Sequence, residues 1–188
     1  MYIVPNQMYN VMETTFIKSP PRTMMEVYKS LPEGTLIQLI ENNLIMTPAP
    51  SYSHQDVQSN IIKSIFLFLH ENDMGKLVVA PLDVYLDEEN VFQPDIMFIS
   101  KSNFDIIQKD GLHGSPDMII ELSSPASAKY DLHQKKNVYE RSGVKEYWIV
   151  DPENKVAQGY FLKKGGYGKP LWEKGTIRSQ ILDHEIRF

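Results

Sequence analysis

There is no cysteine anywhere in the 188 residues, which removes disulfide cross-links and cysteine-ligated zinc from consideration and fits a reducing cytoplasm. Long apolar runs are missing too. The longest, Ile65 to Leu69, falls far below the roughly 18 residues that a membrane-spanning helix requires. The opening stretch, Met1 to Phe16, has no basic start followed by an apolar core, so no secretory signal is expected. Also absent are a glycine-rich phosphate loop, a serine elbow and a pair of histidines at zinc-ligand spacing. What remains is ordinary for a soluble cytoplasmic protein: 42% hydrophobic and 23% charged residues, in a chain long enough to bury a substantial core. The expected organisation is one domain over residues 23–188 behind a loose, polar lead-in, residues 1–22, that ends in Pro20-Pro21.

The formal net charge of −5 argues against a nucleic-acid binder, but the charge is unevenly spread. Glu71 to Asp95 holds seven acids and one lysine, a local −6. Lys155 to Arg178 holds six bases and one acid, or +5, and Lys129 to Lys145 five bases and two acids, or +3. Binding of a polyanion depends on a local basic patch and not on the sum over the chain. The alternative is a solvated charge pattern without consequence.

Thr23 caps a predicted helix, Met24 to Ser30, which Pro32 closes. Thr35–Ile40 and Leu44–Met46 flank Glu41-Asn42-Asn43, a hairpin signature. Ser51 or Ser53 then caps a helix to about Leu69, with Val57, Ile61, Ile62, Ile65, Phe66 and Leu69 on one face. Leu77–Leu86 and Val91–Ile99 read as strands about an Asp87–Asn90 turn, and Met118–Leu122 as a third. A helix over Asp131–Ser142, ended by Gly143, leads to a strand over Lys145–Asp151. That strand–helix–strand unit implies a parallel crossover beside an antiparallel hairpin, hence a mixed sheet. The tail reads as an antiparallel β appendage.

Asp95 and Glu121 are acids in otherwise apolar strand sequence, where a carboxylate has to be paired, protonated or bound to a metal. Asp117 is a decoy. It lies four positions from Glu121 on one strand, about 13 Å along the axis, too far to share an ion whose oxygen ligands sit at about 2.0–2.6 Å. Asp95 comes from a different strand and can lie beside Glu121. Two such acids suit Mg²⁺, which takes one or two protein carboxylates and completes its shell with water and phosphate oxygens. The competing interpretation has Asp95 capping a turn next to Pro94 and Glu121 paired with Lys135. Lys135 and Lys136 fall in the apolar stripe of their helix and either snorkel outward or point at an anion. Lys135 shares a face with Asp131 and Tyr139 at i, i+4 spacing. His54 opens the long helix as a cap or loop residue or as a contributor to the site. His133 reads as surface, and Tyr147-Trp148 as core.

The run from Ser115-Pro116-Asp117 through Glu121-Leu122-Ser123-Ser124-Pro125, Asp131, Lys135, Tyr139, Gly143-Val144 and Glu146-Tyr147-Trp148 to Val150-Asp151-Pro152 resembles the Uma-two family of restriction endonucleases, in the PD-(D/E)XK nuclease superfamily. The likeness extends upstream through Pro94-Asp95, His54 and the Leu36–Met46 hairpin, covering roughly residues 25–188. It implies an α/β fold: a restriction-endonuclease-like mixed sheet flanked by helices, with added β-hairpins at both ends. It also implies Mg²⁺- or Mn²⁺-dependent hydrolysis of DNA phosphodiesters. Asp95 matches the first acid of the motif and Glu121 the second, both binding metal with the backbone carbonyl of Leu122. Lys135 would orient or activate water and offset phosphate charge, and His54 would support the site or touch substrate.

Two departures stand out. The superfamily's lysine normally sits two residues after the second acid, where this chain has Ser123, and Lys135 on the next helix is the match. Relatives usually carry Glu and Gly where Gln38 and Asn42 stand here. These departures keep open a fold that only binds nucleic acid or protein, and the acidic net charge keeps open a phosphoesterase with a small substrate. A homodimer is expected, since exposed edge strands need covering and a symmetric pair suits cleavage of two strands.

Overall fold

The computed structural model describes residues 20–32, 34–46, 48–124, 128 and 130–188. Of the expected lead-in only residues 20–22 fall within that set, and Thr47 and Pro125 lie outside it. Helix α1 (Met24–Lys29) starts where Thr23 accepts the Glu26 N–H at 3.1 Å, the usual N-cap contact. Strands β1 (Ile37–Ile40) and β2 (Asn43–Met46) form the expected hairpin. Glu41 and Asn42 take φ of 47° and 61° in its two-residue turn, the left-handed pair that such a turn needs. Helix α2 (Tyr52–Glu71) is capped by Ser51 and buries Val57, Ile61 and Ile65 at intervals of four.

Both central strands expected from the sequence are split. Leu77–Leu86 becomes β3 (Gly75–Val79) and β4 (Val84–Asp87), and the two belong to different sheets. Pro81 lies between them and has no N–H to give to a ladder. Val91–Ile99 becomes β5 (Asn90–Phe92) and β6 (Ile96–Ser100), interrupted at Gln93-Pro94-Asp95. Asp95 is therefore not inside a strand but at the entrance to β6. Each apolar run keeps its alternation across the break, which is why sequence pattern alone merges them.

A short 3₁₀ segment (Lys101–Ile106) and a small hairpin, β7 (Ile107–Gln108) and β8 (Gly111–His113), lead to β9 (Met118–Leu122). The chain crosses through α3 (Lys136–Ser142), which ends at Gly143 with φ 90°, to β10 (Glu146–Asp151). β11 (Val156–Lys163), β12 (Gly166–Tyr167) and β13 (Leu171–Lys174) follow, then the hairpin β14 (Thr176–Ser179) with β15 (His184–Arg187).

The main sheet runs β12-β11-β10-β9-β6-β3, with β13 also on β11. β9 and β10 are parallel and the remaining pairs antiparallel, so the sheet is mixed as the crossover implies. A second sheet runs β2-β1-β5-β4-β8-β7. On one side of the main sheet α2 and the β14–β15 hairpin pack Val57, Ile61, Ile65, Ile177 and Ile186 against Ile96, Ile120 and Trp148. The other side packs against the second sheet and α3 through Met97, Ile119, Tyr147, Phe92, Ile40 and Tyr139. Hairpins thus flank a central mixed sheet at both ends of the chain.

One buried acid holds the tail in place. Glu146 is fully buried, and burial pushes its carboxyl up against the four donors that favour its charge. Its Oε1 accepts Trp148 Nε1–H at 2.6 Å. Its Oε2 accepts the Ser179 hydroxyl at 3.2 Å and the Gln180 and Ile181 N–H groups at 3.0 Å each. Glu146→Ala strands those donors in the interior and is expected to lower unfolding free energy by about 2–3 kcal/mol, measured by denaturant titration. Glu185→Ala, on the same hairpin and paired with surface arginines, should have a much smaller effect.

Candidate active site

The break before β6 and the end of β9 bring two carboxylates to one end of the main sheet. Asp95 is held through its backbone as well as its side chain. Its carbonyl accepts the Ala80 N–H at 3.1 Å and Gln58 Nε2–H at 3.2 Å. Its carboxylate Oδ2 accepts the Leu122 N–H at 2.7 Å, which ties the entrance of β6 to the exit of β9. His54, buried on the first turn of α2, places Nε2 3.4 Å from the same Oδ2. Burial works against an imidazolium at His54, but Asp95 and the charge on Glu121 outweigh it and raise the pKa above the usual histidine value.

Glu121 lies within β9, 4% exposed. Its Oε1 accepts hydrogen bonds from Lys135 Nζ at 2.9 Å and the Tyr139 hydroxyl at 2.7 Å. Lys135 is itself 4% exposed and lies 3.4 Å from Asp131 Oδ1. Residues Tyr130–Lys135 form a π-helical turn, a local widening common at functional sites, and Asp131 and Lys135 both face inward from it. Burial opposes the charge on Lys135, yet Glu121 and Asp131 together raise its pKa above the usual lysine value. Both acids thus favour the charged form of Lys135. Glu121 is pushed up to about 7, first by burial and then by Asp131 and Asp95, with Lys135 pulling the other way.

The charge balance and the open oxygens bear on whether a metal fits. Asp95, Glu121 and Asp131 face one ammonium and one imidazole, so the cluster holds more negative than positive charge. Among the described residues, no hydrogen bond goes to Asp95 Oδ1 or Glu121 Oε2. Those oxygens and the carbonyl of Leu122 are hard donors of the kind that Mg²⁺ and Mn²⁺ prefer. No three His, Cys, Asp or Glu side chains converge on one point among the described residues. An all-protein cage is thus not present, and the donor set matches an ion that keeps water and phosphate ligands.

The structure brings together Asp95, Glu121, Leu122, Lys135 and His54, all expected from the sequence. It adds Tyr139 and Asp131. Their i, i+4 spacing with Lys135 was visible, but spacing shows a shared face and not that the face meets Glu121. Gln38 is buried on β1, and its Oε1 accepts the Gln93 N–H at 3.1 Å, two residues before Asp95. Ser123, where the superfamily lysine would stand, continues the sheet through its N–H to the Val150 carbonyl at 2.8 Å. Asp117 is bound elsewhere, to Lys145 Nζ at 2.6 Å, the Ser100 N–H at 2.8 Å and Asn103 at 3.2 Å. Lys136 stands over the Tyr160 ring, 5.0 Å from its centroid, and His133 is exposed.

No curated protein sequence matches the chain significantly. Among solved structures, a protein titled "putative nuclease belonging to DUF820" from Anabaena variabilis ATCC 29413 superposes with a TM-score of 0.64 at 21% identity, over 78% of this chain and 83% of that one. That likeness establishes a shared fold. A sequence model of the Uma2 family, described as "Putative restriction endonuclease", matches residues 25–181. With the match running from α1 through β9 and β10 to the C-terminal hairpin, the chain belongs to the Uma2 family.

Proposed function

We propose that the protein is a metal-dependent endonuclease acting on DNA. The observation that carries this reading is the meeting of two carboxylates, one at the entrance to β6 and one within β9, with a buried lysine hydrogen-bonded to the second of them. Asp95, Glu121 and the carbonyl of Leu122 would hold Mg²⁺ or Mn²⁺. When bound, such an ion supplies positive charge to the phosphate oxygens and acidifies water.

The protein's own groups divide the remaining work. Lys135 and Tyr139 both donate to Oε1 of Glu121, which restrains the carboxylate and leaves Oε2 to serve the ion. Glu121 and Asp131 both favour the charged form of Lys135, which suits it to electrostatic work. Its role is to position water and to offset charge gathering on the scissile phosphate, as oriented cations do in a dry site. Asp95 is anchored at once by Ala80 just after β3, by α2 and by β9, so its carboxylate enters with little freedom to lose. His54, buried 3.4 Å from the Asp95 carboxylate, would steady that carboxylate or touch substrate. Gln38 in place of the relatives' Glu removes one charge from the set without emptying the position.

Asp95→Ala should reduce Mn²⁺-dependent cleavage of mixed single- and double-stranded DNA by at least about 100-fold, and EDTA should abolish cleavage by the wild type. Undiminished cleavage by the variant would sink the mechanism. Binding without cleavage by wild type would instead favour a nuclease fold that serves as a binding module. A second variant separates charge from proton transfer. Lys135→Arg keeps a cation and should retain measurable activity, whereas Lys135→Met should lose about 100-fold or more. Equal losses in both, with melting temperatures matched, would count against the electrostatic role.

A further inference from the structure

One register row of the main sheet runs straight from the site to the edge of the sheet. Glu121 on β9 is opposite Ile149 on β10, Ile149 is opposite Gln158 on β11, and Gln158 is opposite Trp172 on β13. Directly opposed residues project from the same face of a sheet. Trp172 therefore stands on the same face as Glu121, three strand spacings or about 14 Å away. The ring is 59% exposed. Among the described residues the ring makes no aromatic or cation contact, which leaves its face open to a ligand.

The surroundings of Trp172 are basic. Lys174 follows two positions later on the same face, opposite Val156. Lys155 precedes Val156 at the same end of the sheet, with φ of 52°. Lys136 projects over Tyr160, two residues from Gln158 on that face. Among the described residues none of Lys136, Lys155 and Lys174 has an ion-pair partner. The acid in this strand, Glu173, points to the opposite face and is taken by Arg178 at 3.4 Å. An exposed aromatic ring flanked by unpaired lysines is the arrangement by which proteins hold single-stranded nucleic acid. Bases stack on the ring whatever their identity, and the cations follow the backbone.

We propose that Trp172, with Lys174, Lys155 and Lys136, forms a nucleic-acid docking strip that seats an unpaired stretch of the strand flanking the scissile phosphate. The strip rests on the nuclease reading for its purpose but not for its binding. It also gives the locally basic segment 155–178 a place in the molecule, on an otherwise acidic chain. The preference it implies is for substrates with a single-stranded or frayed flank, because a base held in a duplex cannot stack on a side chain.

The chain has only two tryptophans. Trp148 is wholly buried and Trp172 exposed, so the solvent-sensitive part of the intrinsic fluorescence belongs to Trp172. A labelled single-stranded oligodeoxynucleotide titrated into the wild-type protein, with EDTA present to prevent cutting, should quench that emission. Trp172→Ala and Lys174→Glu should each weaken binding about tenfold, with the salt dependence reduced in the lysine variant. Trp172→Tyr should recover most of the affinity, and Leu171→Ser, on the opposite face, should leave it unchanged. Absence of quenching, or equal affinity for wild type and Trp172→Ala, overturns the strip even if Asp95→Ala still abolishes cleavage. Trp172-dependent binding by a chain that never cuts upholds the strip and removes the nuclease reading.

Discussion

The buried ammonium of Lys135 is the interaction on which the site depends. A lone cation in that position would be prohibitively costly, and a lone carboxylate at Glu121 equally so. Each is tolerated because of the other, with Asp131 on the far side of the ammonium and Tyr139 sharing the same carboxylate oxygen. Such buried charge adds little to stability compared with an apolar replacement of the same volume. What it provides is a fixed arrangement of charge, and the surplus of acids over bases is what a divalent cation would offset. The cost is borne by the two cores on either side of the sheet, which are almost wholly apolar.

Much of this was legible in sequence. The strand around Glu121, the crossover helix and the next strand follow from apolar runs punctuated by Gly143; both strands agree with the structure to within a residue, whereas the α-helix starts at Lys136 and not at Asp131, because a π-helical turn occupies Tyr130–Lys135. The decoy Asp117 could be rejected from strand geometry alone, and it proves to be bound by Lys145 and Ser100 at the other end of β9. The breaks at Pro81 and at Gln93-Pro94-Asp95 were not legible. Apolar alternation continues across both, and only the pairing of each half with a different sheet reveals the interruption. Asp95 consequently looked like a strand residue when it is a strand entrance, which is what frees its carboxylate to cap the end of β9.

Other features needed the third dimension outright. Nothing in the sequence ties Trp172 to Glu121, which are separated along the chain by a helix and three further strands. Their common row arises from the register of three successive pairings. Likewise, the spacing of Asp131, Lys135 and Tyr139 announced a face, but not that this face would close over Glu121. A π-helical turn lies at the start of that helix, and spacing rules written for regular helices do not anticipate it.

The anchoring of Asp95 has a temporal side. Its carboxylate is met by Leu122, its carbonyl by Ala80 and Gln58, and the lysine that completes the set is carried by a helix that follows β9 in the chain. A polypeptide still emerging from the ribosome presents both acids before the ammonium exists, and it cannot seat that ammonium until the crossover has docked. The charge arrangement is thus a property of the finished molecule alone. No fragment ending before Lys135 carries it, and the arrangement closes only when the turn that follows β9 has folded back over Glu121.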